Sequence, residues 1–280
     1  MFEYAEQWSS VFHVGAGKCG SSSVQRALSL SPRFASSDGS RRYRYFVLLP
    51  NGQLAPWRIK RRMASNNQSG LASHAFKEIF FEQGIDGQLT LNLERAAQVK
   101  ALIQSEVDAN SVPVFSNEGT LNLLKTDPGL RLFQALKVNP LICVYIRPQV
   151  ELINSAWWQW GVWGKLPFDV WLEQQILRRS NWYRAISCLH QLPFPKTLHI
   201  GVCSENVVGN FFERLGVNLA PEILNTRTNT TLSTDAISFL LRNRKYRPGP
   251  HSSRVDFILG DFEPFKNSPI PWCLKPNAVK

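Results

Sequence analysis

Four short apolar runs alternate with helical patterns along most of this chain, and that alternation limits the fold more than any other feature. The runs are Val11–Gly15, Val112–Ser116, Leu141–Ile146 and Leu198–Cys203. Each is apolar on successive residues, as expected of a strand buried on both faces of a parallel sheet. Parallel strands need crossover connections, usually helices. Ser22–Leu30 places Val24, Ala27 and Leu28 on one face and stops before Pro32. Leu93–Val107 carries Ala96, Val99, Leu102, Ile103 and Val107 at helical spacing. Asn206–Leu215 does the same with Val207, Val208, Phe211, Phe212 and Leu215, ahead of Gly216 as a C-cap. Thr234–Arg244 follows Ser233 as an N-cap. The pattern predicts an α/β fold, a three-layer α/β/α sandwich around a central parallel sheet.

Length and composition fit that prediction. The chain has 280 residues, 44% of them hydrophobic and 19% charged, which excludes intrinsic disorder. We read 1–280 as a single domain with an insertion at 33–92 and a proline-rich C-terminal arm at 245–280. The insertion holds a basic loop (Arg41, Arg42, Arg44) and a hairpin-like stretch turning at Asn51-Gly52. Five cysteines, widely spaced and without a C-x-x-C pair, suggest neither a disulfide framework nor a zinc site. Cys143 and Cys203 read as buried thiols. No apolar run reaches the ~20 residues of a membrane span, and the first residues lack a signal-peptide pattern, so a cytoplasmic location is expected. The net charge of +11 calls for an anionic partner without saying which.

The densest motif is VFHVGAGKCGSSSVQRAL, residues 11–28. A strand runs into Gly15-Ala16-Gly17-Lys18-Cys19-Gly20, and Ser21, Ser22 and Ser23 open a helix. Glycines let backbone approach an oxyanion closely. A helix N-terminus offers unpaired N–H groups and partial positive charge, the serines add hydroxyl donors, and Lys18 adds a full charge. The combination points to a phosphate or sulfate. It is not a Walker A loop, because Cys19 stands where a Mg²⁺-ligating Ser or Thr belongs and the glycine spacing is wrong. Nor is it a dinucleotide fingerprint, since a lysine interrupts the glycines and no acidic residue ends the next strand.

The run His13-Val14-Gly15-Ala16-Gly17-Lys18-Cys19-Gly20-Ser21-Ser22-Ser23-Val24-Gln25 resembles the 5′-phosphosulfate loop of sulfotransferases that use 3′-phosphoadenosine-5′-phosphosulfate (PAPS), most of all their bacterial and carbohydrate-type members. The second landmark of that family, an arginine ending a later strand and a serine eight residues on, is matched by Arg147 and Ser155 in LICVYIRPQVELINSAWW. Weaker echoes lie in VPVFSNE, LHIGVCSENVVGNFFERLGV and NTTLSTDAISFLLRN, so the resemblance covers roughly 11–245. It implies the P-loop-like sulfotransferase fold and sulfuryl transfer from PAPS, without a metal, to a hydroxyl or amine of a carbohydrate or small-molecule acceptor. Gly17, Lys18, Cys19, Gly20, Ser21, Ser22 and Ser23 would bind the 5′ end of the cofactor, and Arg147 and Ser155 its 3′-phosphate.

Such a transfer needs charge stabilisation, for which Lys18 is placed, and a base for the acceptor. Glu118, at the tip of the second apolar run, is the first choice. A carboxylate there could equally serve the dipole of the following TLNLL segment. His13 matches a family position but alternates with Phe12 and Val14, as a packed strand residue would, and His74 is a third candidate. Trp157, Trp160 and Trp163, with Trp158 and Trp171, read as a core-facing helical stripe from which some rings could line an acceptor cleft. Two other readings stand beside the transferase. One is a P-loop small-molecule kinase. The other is a non-catalytic binder of anionic polymer resting on Arg58–Arg62 and Arg242–Arg247, with no nucleic-acid motif in view. The basic insertion would suit an anionic acceptor.

Overall fold

The computed structural model describes residues 8–56, 76–108, 110–203, 206–224, 232–250, 252, 255–266, 268–269 and 271–273. His74 and Arg58–Arg62 lie outside the described residues. The chain forms two compact units, one of 1–146 with 183–228 and the other of 147–182 with 229–280.

In the first unit the expected parallel sheet is present and larger than the four apolar runs. Its strands are β1 (Ser10–His13), β2 (Arg33–Ala35), β3 (Arg42–Tyr45), β6 (Ser111–Ser116), β7 (Pro140–Ile146) and β8 (Thr197–Val202), in the spatial order β2-β3-β6-β1-β7-β8. Every pairing is parallel except that of the edge strand β2 with β3. A separate antiparallel pair, β4 (Phe81–Gln83) and β5 (Leu89–Leu91), stands apart. Residues 33–92 are therefore not one block, because β2 and β3 extend the main sheet. The supposed basic loop is a strand: Tyr43 and Tyr45 turn inward, Arg42 and Arg44 outward, with Arg42 on Asp108 at 3.4 Å and Arg44 on Glu106. Around Asn51-Gly52 the hairpin reduces to a Leu48–Leu54 bridge.

Alternation along β1 feeds two layers, because successive strand side chains point to opposite faces. Phe12 meets Phe76, Phe115 and Phe133 on one face, among the helices Phe76–Phe80, Leu93–Glu106 and Asp127–Leu136. His13 meets Phe211 on the other, from the helix Val207–Arg214, which packs beside helix α1 (Ser21–Leu30). Side-chain caps hold the helix starts: Asn92, Thr126 and Asn206 accept from Arg95, Gly129 and Gly209 amides. Each such cap is worth about 1 kcal/mol. Helices thus cover both faces of a mostly parallel sheet, as the alternating pattern predicts.

The second unit is helical, with Gln149–Gln159, Phe168–Ser180 and Thr234–Arg242 as its longest elements. The tryptophans do not form one stripe, because the helix ends at Gln159 and a 3₁₀ turn spans Gly161–Trp163. Trp157, Trp160 and Trp171 pack with Ile153 and Phe168, whereas Trp158 and Trp163 join Ala236, Ile237 and Leu240. Arg247 stacks over Trp163 at 4.2 Å, pairs with Asp256 and donates to the Gln159 carbonyl at 3.2 Å. The arm is pinned by Asn154, which accepts from the Cys273 amide at 2.8 Å and donates to the Pro271 carbonyl at 3.2 Å. Among the described residues no helix is long and apolar enough to cross a membrane.

Candidate functional site

Strand order places the site. The central strand β1 has β6 on one side and β7 on the other, so the chain reverses direction across it. In open α/β sheets a crevice opens beyond the carboxyl ends of the strands at such a point. The glycine-lysine-serine loop leaves β1 there. The ladder continues one residue past β1, from the Val14 amide to the Cys143 carbonyl at 3.0 Å, and the chain then turns, the Cys19 amide donating to Ala16 at 3.2 Å.

Two residues of the loop adopt the left-handed backbone, Lys18 at φ 70° and Gly20 at φ 83°. For a lysine this region is uncommon and costs on the order of 1 kcal/mol. Left-handed residues alternating with others along a turn swing successive N–H groups toward one point and form an anion-binding concavity. Gly20 is also the N-cap of α1, whose first N–H groups have no intrahelical acceptor. Glycine is required at 20 by φ and by the Val207 side chain, which an added Cβ would meet at 2.6 Å. At 15 the reason is close approach: an added Cβ would stand 2.0 Å from the Ser21 hydroxyl oxygen.

The side chains sort into distinct roles. Cys19 is fully buried, its thiol 3.8 Å from the Gly17 carbonyl, so only its backbone faces the loop. Ser22 and Lys18 are half-buried and Ser23 is buried. Ser21 is 2% exposed, and its Oγ has no hydrogen-bond partner among the described residues. A buried hydroxyl left in that state is costly unless a ligand completes it.

Glu118 reaches the same corner through strand register. His13 pairs with Ser116, and the Asn117 amide donates to the His13 carbonyl at 3.1 Å, so the residues after β1 and after β6 emerge side by side. Glu118 lies on an exposed rim, yet protein crowds its carboxyl and raises its pKa above the ordinary carboxylate value. The Lys18 charge acts in the opposite sense. Lys18, Ser21 and Glu118, separated by up to a hundred residues of sequence, thus form one cluster.

His13 is placed otherwise. It is 1% exposed, its Nδ1 lies 2.7 Å from Ser116 Oγ, and its ring sits between Tyr145 and Phe211. Burial drives its pKa down to about 4, so it is neutral at physiological pH. The expectation of a catalytic His13 gives way here to a packed strand residue that ties β1 to β6 from below. Sequence reasoning missed Ser116 as its partner, although the parallel register of the two apolar runs would have paired them.

Arg147 and Ser155 belong to the second unit. Arg147 follows β7 directly, and its Nε donates to Glu151 at 3.2 Å, one turn along the helix that buries Ser155. Glu151 and Ser155 are themselves one turn apart on that helix, so the guanidinium extends along the face that carries Ser155. The Arg147 carbonyl accepts from Trp182 Nε1 at 2.7 Å, which fixes the backbone at this point. Glu151 was not foreseen, though an i, i+4 Arg–Glu spacing is readable in the sequence. Among the described residues no cluster of His, Cys, Asp and Glu has the form of a metal site.

No protein-family model matches the chain, and no curated protein matches it significantly. Among solved structures, a sulfotransferase from Alicyclobacillus acidocaldarius aligns with 94% of this chain and 100% of its own, at 15% identity and a TM-score of 0.42. A likeness so distant assigns no function.

Proposed function

We propose that the chain is a sulfotransferase that moves a sulfuryl group from PAPS to a hydroxyl or amine of a carbohydrate or other small acceptor. The observation that carries this reading is the convergence of Lys18, Ser21 and Glu118 at the carboxyl end of the central strand. The residues present suit such a donor. A left-handed turn, a helix N-terminus and an orphaned, buried Ser21 hydroxyl favour an anion with several oxygens, and Lys18 supplies the full charge. PAPS supplies the activated sulfuryl group, and this chain's residues do the rest.

The loop amides and Ser21 hold the 5′-phosphate. Lys18 meets the negative charge that develops on the phosphate oxygen as the sulfur–oxygen bond breaks. Glu118 takes the proton from the acceptor as its oxygen or nitrogen bonds to sulfur. A carboxyl with a raised pKa is a stronger base than an ordinary one, and it is ionised only above that pKa. Activity therefore falls as pH drops through the Glu118 titration. Arg147 and Ser155 are assigned to the 3′-phosphate on sequence resemblance, with a guanidinium suited to phosphate oxygens.

The inward-turned Cys19 side chain favours this reading over a P-loop kinase. The position that presents a Mg²⁺-ligating hydroxyl in such kinases is here a fully buried thiol resting on the loop's own backbone. The test is calorimetric titration with adenosine 3′,5′-bisphosphate in the absence and presence of Mg²⁺. Binding that needs no Mg²⁺ and disappears in Lys18→Ala is expected; no binding, or binding of ATP only with Mg²⁺, overturns the proposal. A screen of acceptors with labelled PAPS identifies the substrate.

A further inference from the structure

The main sheet has two edges, and they are finished differently. An edge strand presents a row of open N–H and C=O groups to any further strand, and proteins blunt such edges with short strands, charged residues, proline or bulges. Strand β2 is blunted, since it spans only Arg33–Ala35 and carries an exposed arginine. Strand β8 at the other edge is not. It runs six residues, Thr-Leu-His-Ile-Gly-Val, in unbroken register with β7 and holds no Asp, Glu, Lys, Arg or Pro. Lys196, just ahead of it, turns back and donates to the Leu192 carbonyl at 3.0 Å, so it does not guard the edge.

The ladder fixes which backbone groups face outward. Directly after the strand, the Cys203 amide donates to the Ile146 carbonyl at 2.6 Å. In a parallel pair alternate residues turn to the neighbouring strand, so Gly201 and His199 bond to β7 as Cys203 does. Leu198, Ile200 and Val202 then direct their N–H and C=O groups away from β7, and these groups have no backbone partner among the described residues. Their side chains share one face of the strand. Leu198 and Ile200 are only partly covered by the core, and Val202 is 60% exposed. Open hydrogen-bonding groups and an apolar row thus lie on the same edge.

We propose that β8 pairs antiparallel with β8 of a second copy of this chain, across a two-fold axis at Ile200, so that the two main sheets continue as one. The strand's own sequence favours a copy of itself over another partner. Residues that exchange both N–H···O bonds in an antiparallel pair lie directly opposite each other. With Ile200 opposite Ile200 of the second copy, Leu198 stands opposite Val202 and Val202 opposite Leu198. Every outward group then has a partner, and the apolar rows adjoin on one face. On the other face the same register sets His199 opposite Gly201. His199 Nε2 lies 2.9 Å from Asn210 Oδ1, which holds the ring on the side of the helix Val207–Arg214, and Gly201 brings no side chain against it. Moving the axis to His199 sets the two His199 rings opposite each other and carries Val202 past the end of the other strand. Moving it to Gly201 does the same to Leu198. The lack of charge matters in a chain of net charge +11, because here two copies approach without setting like charges opposite each other. A two-fold contact of this kind uses the same patch on both copies and closes at the dimer.

Sedimentation equilibrium across a wide range of concentration is expected to show a monomer–dimer equilibrium. Hydrogen exchange read at single residues supplies the signature of β8. The Leu198, Ile200 and Val202 amides should become protected as the dimer forms, whereas the His199 and Gly201 amides should be protected at every concentration. Val202→Lys adds a charge at an exposed position and should keep the His199 and Gly201 protection that reports an intact sheet. It should weaken the dimer roughly tenfold, since two such lysines enter each interface. A chain that stays monomeric throughout overturns the proposal, as does a dimer equally strong in Val202→Lys. Free exchange of the outward amides in the dimer also overturns it, because the copies would then meet elsewhere. Protection of those amides in the monomer overturns it as well, because another segment of the same chain would then cover the edge. None of these outcomes touches the reading of the loop after β1, which adenosine 3′,5′-bisphosphate tests separately.

Discussion

The corner at the end of β1 and the helix Gln149–Gln159 each carry half of the same sequence signature, and they are built differently. In the first, residues far apart in sequence are joined by strand register: His13 opposite Ser116 brings a loop of glycines and a lysine next to a carboxylate a hundred residues later. In the second, Arg147 stands just ahead of one helix and reaches Glu151 in its first turn, with Ser155 one turn further on. The first arrangement leaves a buried hydroxyl without a partner, while the second gives its arginine a carboxylate one turn away. A sheet corner can hold a buried polar group without a protein partner because the surrounding core fixes it. A helix face exposed in part offers its cation a neighbour at i+4 at little cost.

The largest effect that tests this contrast is expected at Lys18. Removing a full charge from the point where negative charge develops typically costs on the order of 10³ in rate. Lys18→Ala should therefore abolish measurable sulfuryl transfer and sharply weaken binding of adenosine 3′,5′-bisphosphate, read by calorimetry and a labelled-PAPS assay. Near-normal turnover in this variant would remove the β1 corner from the chemistry altogether.

Next comes Glu118→Gln, which keeps the shape and removes the base. A loss of about 10²- to 10³-fold in kcat is expected, with adenosine 3′,5′-bisphosphate binding retained. The acid limb of the pH–rate profile should vanish with it. For the unaltered protein that limb lies above the ordinary carboxylate range, because crowding raises the Glu118 pKa. A profile unchanged by the substitution would assign the limb to another group.

His13 tests how firmly the corner is held. Its pKa falls from an ordinary 6.5 to about 4 in the folded chain. Above about pH 6.5 both folded and unfolded states are neutral at this site, and it adds no pH dependence. Between 6.5 and 4 the unfolded chain takes up a proton that the folded chain refuses, so stability falls with pH, by up to about 3 kcal/mol at the lower limit. Urea unfolding across that interval should show the slope, and His13→Asn should lack this contribution. An identical slope in the variant would mean that His13 is protonated in place, with its ring no longer held as described.

These differences also explain what the sequence discloses. Strands β1 and β7 are legible because burial on both faces leaves a nearly continuous apolar run, and the partly buried β6 and edge strand β8 keep enough of that pattern to be read. Strand β3 is not, since Arg-Tyr-Arg-Tyr alternates charge with aromatic rings and reads as a basic loop until Glu106 and Asp108 are seen to partner the arginines. The adjacency of Lys18 and Glu118 follows from two parallel strand tips, which periodicity can suggest. The void over Gly15 that holds the Ser21 hydroxyl cannot be suggested that way, because it depends on the path of a few turn residues. The tryptophan stripe misleads for a related reason: helical spacing is projected across Gln159, where the helix stops.

The smallest effect is expected at Arg147, and it bears most directly on the comparison. If the helix corner holds only the 3′-phosphate, Arg147→Ala should weaken adenosine 3′,5′-bisphosphate by roughly 10- to 50-fold, the worth of one charged phosphate contact. Adenosine 5′-phosphate, which lacks the 3′ group, should bind the variant and the unaltered protein alike. Lys18→Ala should weaken both ligands. Glu151 adds a second reading of the same site, because it pairs with Arg147 at 3.2 Å and competes with any phosphate for the guanidinium. Glu151→Gln should therefore tighten adenosine 3′,5′-bisphosphate by a few fold, the size of one partly exposed i, i+4 pair. Equal weakening of both nucleotides in Arg147→Ala would show instead that Arg147 acts through the helix it precedes, by way of Glu151, and touches no 3′-phosphate.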